Sequence, residues 1–108
     1  LIDLCQSASN DVTTFAATST AGSVYYRDAN SVVVGTVNGG VCVAAAQTGI
    51  SAGQDAEIHT NVDISIQQKV AATGTVRLWG ETGTVTQNAN GNIVGYAYNG
   101  VYATMSAN

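Results

Sequence analysis

The stretch Ala56-Glu57-Ile58-His59-Thr60-Asn61-Val62-Asp63-Ile64-Ser65-Ile66 decides the fold class. Ala56, Ile58, Thr60, Val62, Ile64 and Ile66 alternate with Glu57, His59, Asn61, Asp63 and Ser65. Side chains along a strand point to opposite faces in turn, so this period of two sends the first set inward and the second to solvent. A helix would scatter the same residues around its circumference. The stretch therefore predicts one long, half-buried strand.

Working outward, residues 31–37 and 41–46 are nearly continuous apolar runs, which suits strands covered on both faces or lying against a neighbouring subunit. Further strands are expected at 75–79, 84–86, 93–98 and 101–105. Between them stand Asn38-Gly39-Gly40, Ser51-Ala52-Gly53-Gln54, Glu81-Thr82-Gly83, Asn90-Gly91 and Asn99-Gly100, residues that tolerate turn geometry. Asn99-Gly100, flanked by Tyr and Val, gives the sharpest hairpin signal. The one helix candidate, 43–47, is too short to stand alone. The expected fold class is all-β: a small β-barrel or β-sandwich with short hairpins and an extended N-terminal arm. The arm is residues 1–20, Ser/Thr/Asn/Ala-rich from Gln6 to Thr20, with isolated Val12 and Phe15; residues 21–108 form a single β domain. No internal repeat of 20–50 residues stands out.

Composition narrows the function. The chain has 108 residues, room for one domain, and only 9% of them are charged. Its net charge is −4, and three cations (Arg27, Lys69 and Arg77) cannot neutralise a run of phosphates, which argues against nucleic acid as a partner. No unbroken apolar stretch is long enough for a membrane helix, and the N-terminal residues lack the pattern of a signal peptide. Disorder does not fit a chain that is 45% hydrophobic. Soluble monomers ordinarily intersperse charges over their surface, so the scarcity of charge points to a surface covered in an assembly. Cys5 and Cys42 form no metal-binding or redox motif and are expected to be free thiols.

A search for chemistry comes out negative. His59, the single histidine, shares a strand face with Glu57, Asn61 and Asp63. A pH-sensitive pair or a divalent-ion site is one reading of that face; with no second histidine, the solvated face of a half-buried strand is the simpler one. The seven acids form no paired constellation, and nucleophile-elbow and phosphate-loop motifs are absent. No catalytic residue, cofactor or metal is expected. Tyr25, Tyr26, Trp79, Tyr96, Tyr98 and Tyr102 are available as a sugar platform, although cross-strand packing accounts for Tyr96, Tyr98 and Tyr102 more economically. Trp79, beside the Gly80–Gly83 turn, suits an interface anchor or a core plug equally.

From Val41 onward a familiar order emerges: Val41-Cys42-Val43-Ala44-Ala45, Gly49-Ile50-Ser51-Ala52-Gly53-Gln54, the alternating strand, Gln68-Lys69-Val70-Ala71-Ala72-Thr73-Gly74, Val76-Arg77-Leu78-Trp79, Gly83-Thr84-Val85-Thr86 and Gly91-Asn92-Ile93-Val94-Gly95-Tyr96-Ala97. This order resembles the small capsid decoration (cement) proteins of tailed bacteriophages. It departs from them in the short 72–75 segment and in the absence of arginine from the last strand. The resemblance implies a non-enzymatic structural protein on the exterior of the virion, made in the bacterial cytoplasm. Its implied partners are the major capsid protein and copies of itself, as a trimer or a dimer. Repeated weak contacts over a lattice would then hold it by avidity. On apolar character outside the clean strand pattern, the capsid or subunit interface is expected at Leu1, Ile2, Leu4, Val12, Phe15 and Trp79. Two other readings stand beside it: a carbohydrate-binding or adhesin module of a viral fibre or spike, and a self-associating fibre or surface-layer subunit.

Overall fold

The alternation that begins at Ala56 breaks at Asn61–Asp63, and that break sets the architecture. In the computed structural model, which describes residues 1–40, 45–95 and, by backbone, 98–103, the long strand is two strands joined by a corner. They are β9 (Ala56–Thr60) and β10 (Ile64–Ile66). The inward parity survives the corner, since Ala56, Ile58, Thr60, Ile64 and Ile66 are all buried, while Val62 at the bend is exposed. A corner turns the chain into the next sheet instead of reversing it, so the strands stack in parallel.

The chain winds through this three-sided path repeatedly. The first coil comprises β1 (Ile2–Leu4), β2 (Thr14–Phe15) and β3 (Ala17–Ser19). The second has β4 (Val24–Asp28), β5 (Val32–Val34) and β8 (Ile50–Ala52), with β6 (Thr36–Val37) and β7 (Gln47–Thr48) forming an antiparallel ribbon between them. After β9 and β10, the third coil closes with β11 (Val70–Ala72). The fourth has β12 (Thr75–Gly80), β13 (Val85–Gln87) and β14 (Ile93–Gly95), and β15 (Tyr98–Ala103) opens a fifth. The sheets run β1-β4-β9-β12-β15, β13-β10-β5-β2 and β14-β11-β8-β3, and every pairing within these three is parallel. This is a parallel β-solenoid, in which each coil buries its apolar face against its neighbours.

The core is a set of columns that run along the solenoid. Val24, Ala56 and Val76 are in register, as are Tyr26, Ile58 and Leu78. Ile50 and Val70 stack under Ile93, and Ala52 and Ala72 under Gly95. In the sheet containing β11, small residues (Ala52, Ala72, Gly95) fill one column and branched ones (Ile50, Val70, Ile93) the other. One polar column penetrates the interior: Asp28, fully buried, is in register with Thr60 and Gly80. Asp28 Oδ2 accepts the Tyr26 phenol O–H at 2.6 Å and the Val12 N–H at 3.0 Å, and Oδ1 accepts the Asn30 N–H at 2.8 Å. Burial first, then the hydrogen bond and charge of Asp28, push the Tyr26 phenol well above its usual range.

The all-β class is as the sequence indicates, but the strands are connected by corners where hairpins were expected. Asn99 and Gly100 form no turn: both lie inside β15, opposite Val76 and Arg77 of β12. A neighbouring strand already in place supplies ladder partners along the whole of β15, which outweighs the local turn preference of Asn-Gly. The 20–50-residue repeat that the sequence conceals is present. The equivalent positions Ile2, Val24, Ala56, Val76 and Asn99 are 22, 32, 20 and 23 residues apart. The ribbon in the second coil and unequal corners break the period. Residues 1–20, expected as an arm outside a domain of 21–108, instead supply the strands of the first coil, β1, β2 and β3, with Ala17 and Ser19 buried against the next coil. Within 31–37, the strand stops at Gly35 and resumes as β6; Ala45 and Ala46 are outside any strand, and residues 41–44, including Cys42, lie outside the described residues. So do 96–97 and 104–108, and with them Tyr96 and the end of the expected last strand. Of the 43–47 helix candidate, Gln47 is in β7.

Candidate functional site: the outer face of the five-stranded sheet

Alternation within each coil gives each sheet an outer face, and the three outer faces differ sharply. The sheet containing β10 presents Thr14, Val33, Ser65 and Thr86; the sheet containing β11 presents Thr18, Ser51, Ala71 and Val94. Neither row holds a charge. The five-stranded sheet instead carries Asp3, Tyr25, Glu57 and Arg77 in one row, and Arg27, His59 and Trp79 in the next. Two of the three cations, both glutamates, the only histidine and the only tryptophan of the chain gather on this face or, for Glu81, at the turn just after β12.

Stacking in register explains their contacts. Parallel strands lie about 4.8 Å apart, so flat side chains at paired positions meet face to face. The His59 imidazole lies on the Trp79 indole with ring centroids 4.2 Å apart and planes 7° apart. His59 Nε2 is 3.0 Å from Glu81 Oε2, and Arg77 Nη1 is 3.5 Å from Glu57 Oε2. Both contacts include well-exposed partners, so each orients side chains more than it stabilises the fold. Arg27, next to His59 in the row, has no carboxylate partner among the described residues, and its Nε is buried without a hydrogen-bond partner.

The expected solvated face of His59 is thus a packed row: Glu57 and His59 do share a face, whereas Asn61 and Asp63 belong to the corner. Sequence reading missed Arg27, Arg77 and Glu81, because their proximity to His59 depends on coil-to-coil register; the signal available was the matched alternation of 24–28, 56–60 and 76–80. Among the described residues, no group of three or more His, Cys, Asp or Glu is arranged to hold a metal ion. Cys5 is half-buried, and burial first, then the charges of Asp3 and Glu57, push its thiol up against the opposing pull of Arg27.

The six residues expected at an interface fall into two places. Leu1, Ile2, Leu4, Val12 and Phe15 belong to the first coil. Leu1, Leu4 and Val12 are exposed (76%, 44% and 39%), while Ile2 and Phe15 pack partly on the core, with Phe15 stacked on Tyr26 at 4.2 Å. Trp79, 45% exposed, is in β12, separated from β1 by the two strands β4 and β9. Among the described residues, no helix is long and apolar enough to cross a membrane. No family model, no curated protein and no solved structure matches this chain.

Proposed function

We propose that this chain is a non-enzymatic structural unit of a surface fibre or layer, in which solenoid coils stack end to end. The carrying observation is Leu4. It occupies the same inward column as Tyr26, Ile58 and Leu78, yet it is 44% exposed while those three are buried. What buries the others is a coil on either side; among the described residues Leu4 has one on a single side only. Leu1 and Val12 extend this apolar face, and β1 is an edge strand among the described residues. An edge of this kind is a template for pairing. The partner that fits is another coil from a second copy of this chain, joined head to tail, and a heterologous contact of that kind propagates into a filament where the rotation does not close. Scarce charge on the flanking sheets suits a layer in which they are covered.

Electron microscopy and light scattering on the purified protein test this. Concentration-dependent filaments are expected, abolished by Leu4→Lys with Val12→Lys, which place charge on the apolar end at two side chains already 44% and 39% exposed. A protein that stays monomeric at millimolar concentration overturns the reading.

Capsid decoration is the second reading, favoured by the same exposed Leu1, Leu4 and Val12 together with Trp79, which would seat against major capsid protein on the virion exterior. The coil-stacking reading comes first because the apolar motifs behind the resemblance fall one to a strand: Val70–Ala72 in β11, Val76 to Trp79 in β12, Ile93–Gly95 in β14. Stacking columns account for their order without a capsid. Binding to purified heads, with a gain in their resistance to heat, would reverse this ranking.

A further inference from the structure

We infer that the outer face of the five-stranded sheet binds a neutral glycan across Arg27, His59 and Trp79. The face concentrates polar chemistry that neither the core nor coil stacking uses. The other two sheets show that outward positions in this solenoid do not need charge, since Thr, Ser, Ala and Val fill theirs. On this face, planar forked donors (Arg27, Arg77) alternate with planar forked acceptors (Glu57, Glu81) around an exposed indole. Forked groups bind pairs of oxygens in a fixed geometry, which matches adjacent hydroxyls on a sugar ring. The indole supplies the apolar contact that carbohydrate C–H groups require.

Three observations choose the ligand class. With Asp3 in the same row, three carboxylates outnumber two guanidinium groups on this face and the following turn, and the chain as a whole carries −4, so a polyanion gains nothing from this surface. Glu57, Arg77 and Glu81 stay in contact with solvent while paired, which suits a hydroxyl-rich ligand better than the dry centre of a protein interface. Arg27, lacking a carboxylate partner among the described residues, keeps its guanidinium available where Arg77 and His59 are already engaged. Arg77–Glu57 and His59–Glu81 hold the surrounding groups in position and lower the ordering cost of binding.

The test is a printed array of neutral, uronic-acid and sulfated glycans, followed by calorimetry with the best-bound oligosaccharide. Neutral glycans are expected to be retained. Trp79→Ala and Arg27→Gln should each weaken binding by about tenfold, the loss of an aromatic contact or a charged hydrogen bond. Thr86→Ala, on another sheet, should leave affinity unchanged, and Trp79→Phe, which keeps a ring against His59, should recover most of it. Affinities are compared among variants that melt with the parent. Absence of any glycan binding, preference for acidic glycans, or equal affinity in parent, Trp79→Ala and Arg27→Gln overturns the assignment. Arg27 on β4 adjoins β1, whereas His59 and Trp79 lie further across the sheet on β9 and β12, so Trp79→Ala made in the Leu4→Lys/Val12→Lys protein, held monomeric, reads glycan binding independently of filament formation.

Discussion

Asp55 Oδ1 accepts the backbone N–H of Thr75, one coil further on, at 2.8 Å. One coil earlier, Ser23 Oγ accepts the N–H of Asp55 at 3.1 Å. The next corner repeats the device: Ser31 Oγ accepts the N–H of Asp63, and Asp63 Oδ1 accepts that of Thr84 at 2.8 Å. At a corner the sheet ladder is interrupted, and a short side-chain acceptor satisfies the backbone donor that the ladder leaves over. These are cross-coil staples, and two of the five aspartates serve in them.

Replacing the first staple should therefore cost stability in proportion to what is left unpaired. Asp55→Ala is expected to lower unfolding free energy by about 1–2 kcal/mol, and Asp55→Asn, which keeps Oδ1, by well under half of that. Urea denaturation followed by circular dichroism measures both. Equal losses for the two variants would mean that the charge, not the hydrogen bond, matters.

Tyr26→Phe removes only the phenol oxygen, yet it deprives the fully buried Asp28 of one of its three donors. A loss of about 1.5–3 kcal/mol is expected, as for a hydrogen bond to a buried charged group. Tyr25→Phe, on the outer face, is the control and should be nearly silent in the same melt.

Alkaline pH should loosen the fold in a definite order. Cys5 and Tyr26 both hold their protons more tightly in the folded chain, so their stabilising contributions are complete at neutral pH. The unfolded chain begins to lose protons near the ordinary values of 9.0 for the thiol and 10.0 for the phenol, and stability falls from there upward. The larger total loss belongs to Tyr26, whose phenolate would face the Asp28 carboxylate. Thermal melts from pH 7 to 11 should show this decline, and Tyr26→Phe should flatten its upper part.

Gly49 stands at the entry to β8 with φ of 69°, and a Cβ there would run into the Lys69 carbonyl of the coil above. Gly49→Ala should cost about 1–3 kcal/mol from backbone strain alone. Gly40, with open space around its Cα, should accept alanine without loss. Paired melting temperatures decide the matter.

By itself the sequence determined which side chains face inward. From Ala56 to Ile66, burial follows the alternation everywhere except at Val62, because a side chain's face is fixed by the pleat of its own strand, a local property. All-β character was legible for the same reason. The direction of pairing was not. The alternating pattern of a strand is the same whether its neighbour runs parallel or antiparallel, and Asn61-Val62-Asp63 reads as strand until a second coil is laid beside it. Unequal spacings between Ile2, Val24, Ala56, Val76 and Asn99 hid the repeat. The candidate site was hidden too. Arg27, His59 and Trp79 are far apart in the chain, and only the register of β4, β9 and β12 stacks them on one face. Tertiary structure decided that register, because burying the columns Val24/Ala56/Val76 and Tyr26/Ile58/Leu78 together admits no slip of one residue without turning every apolar side chain outward.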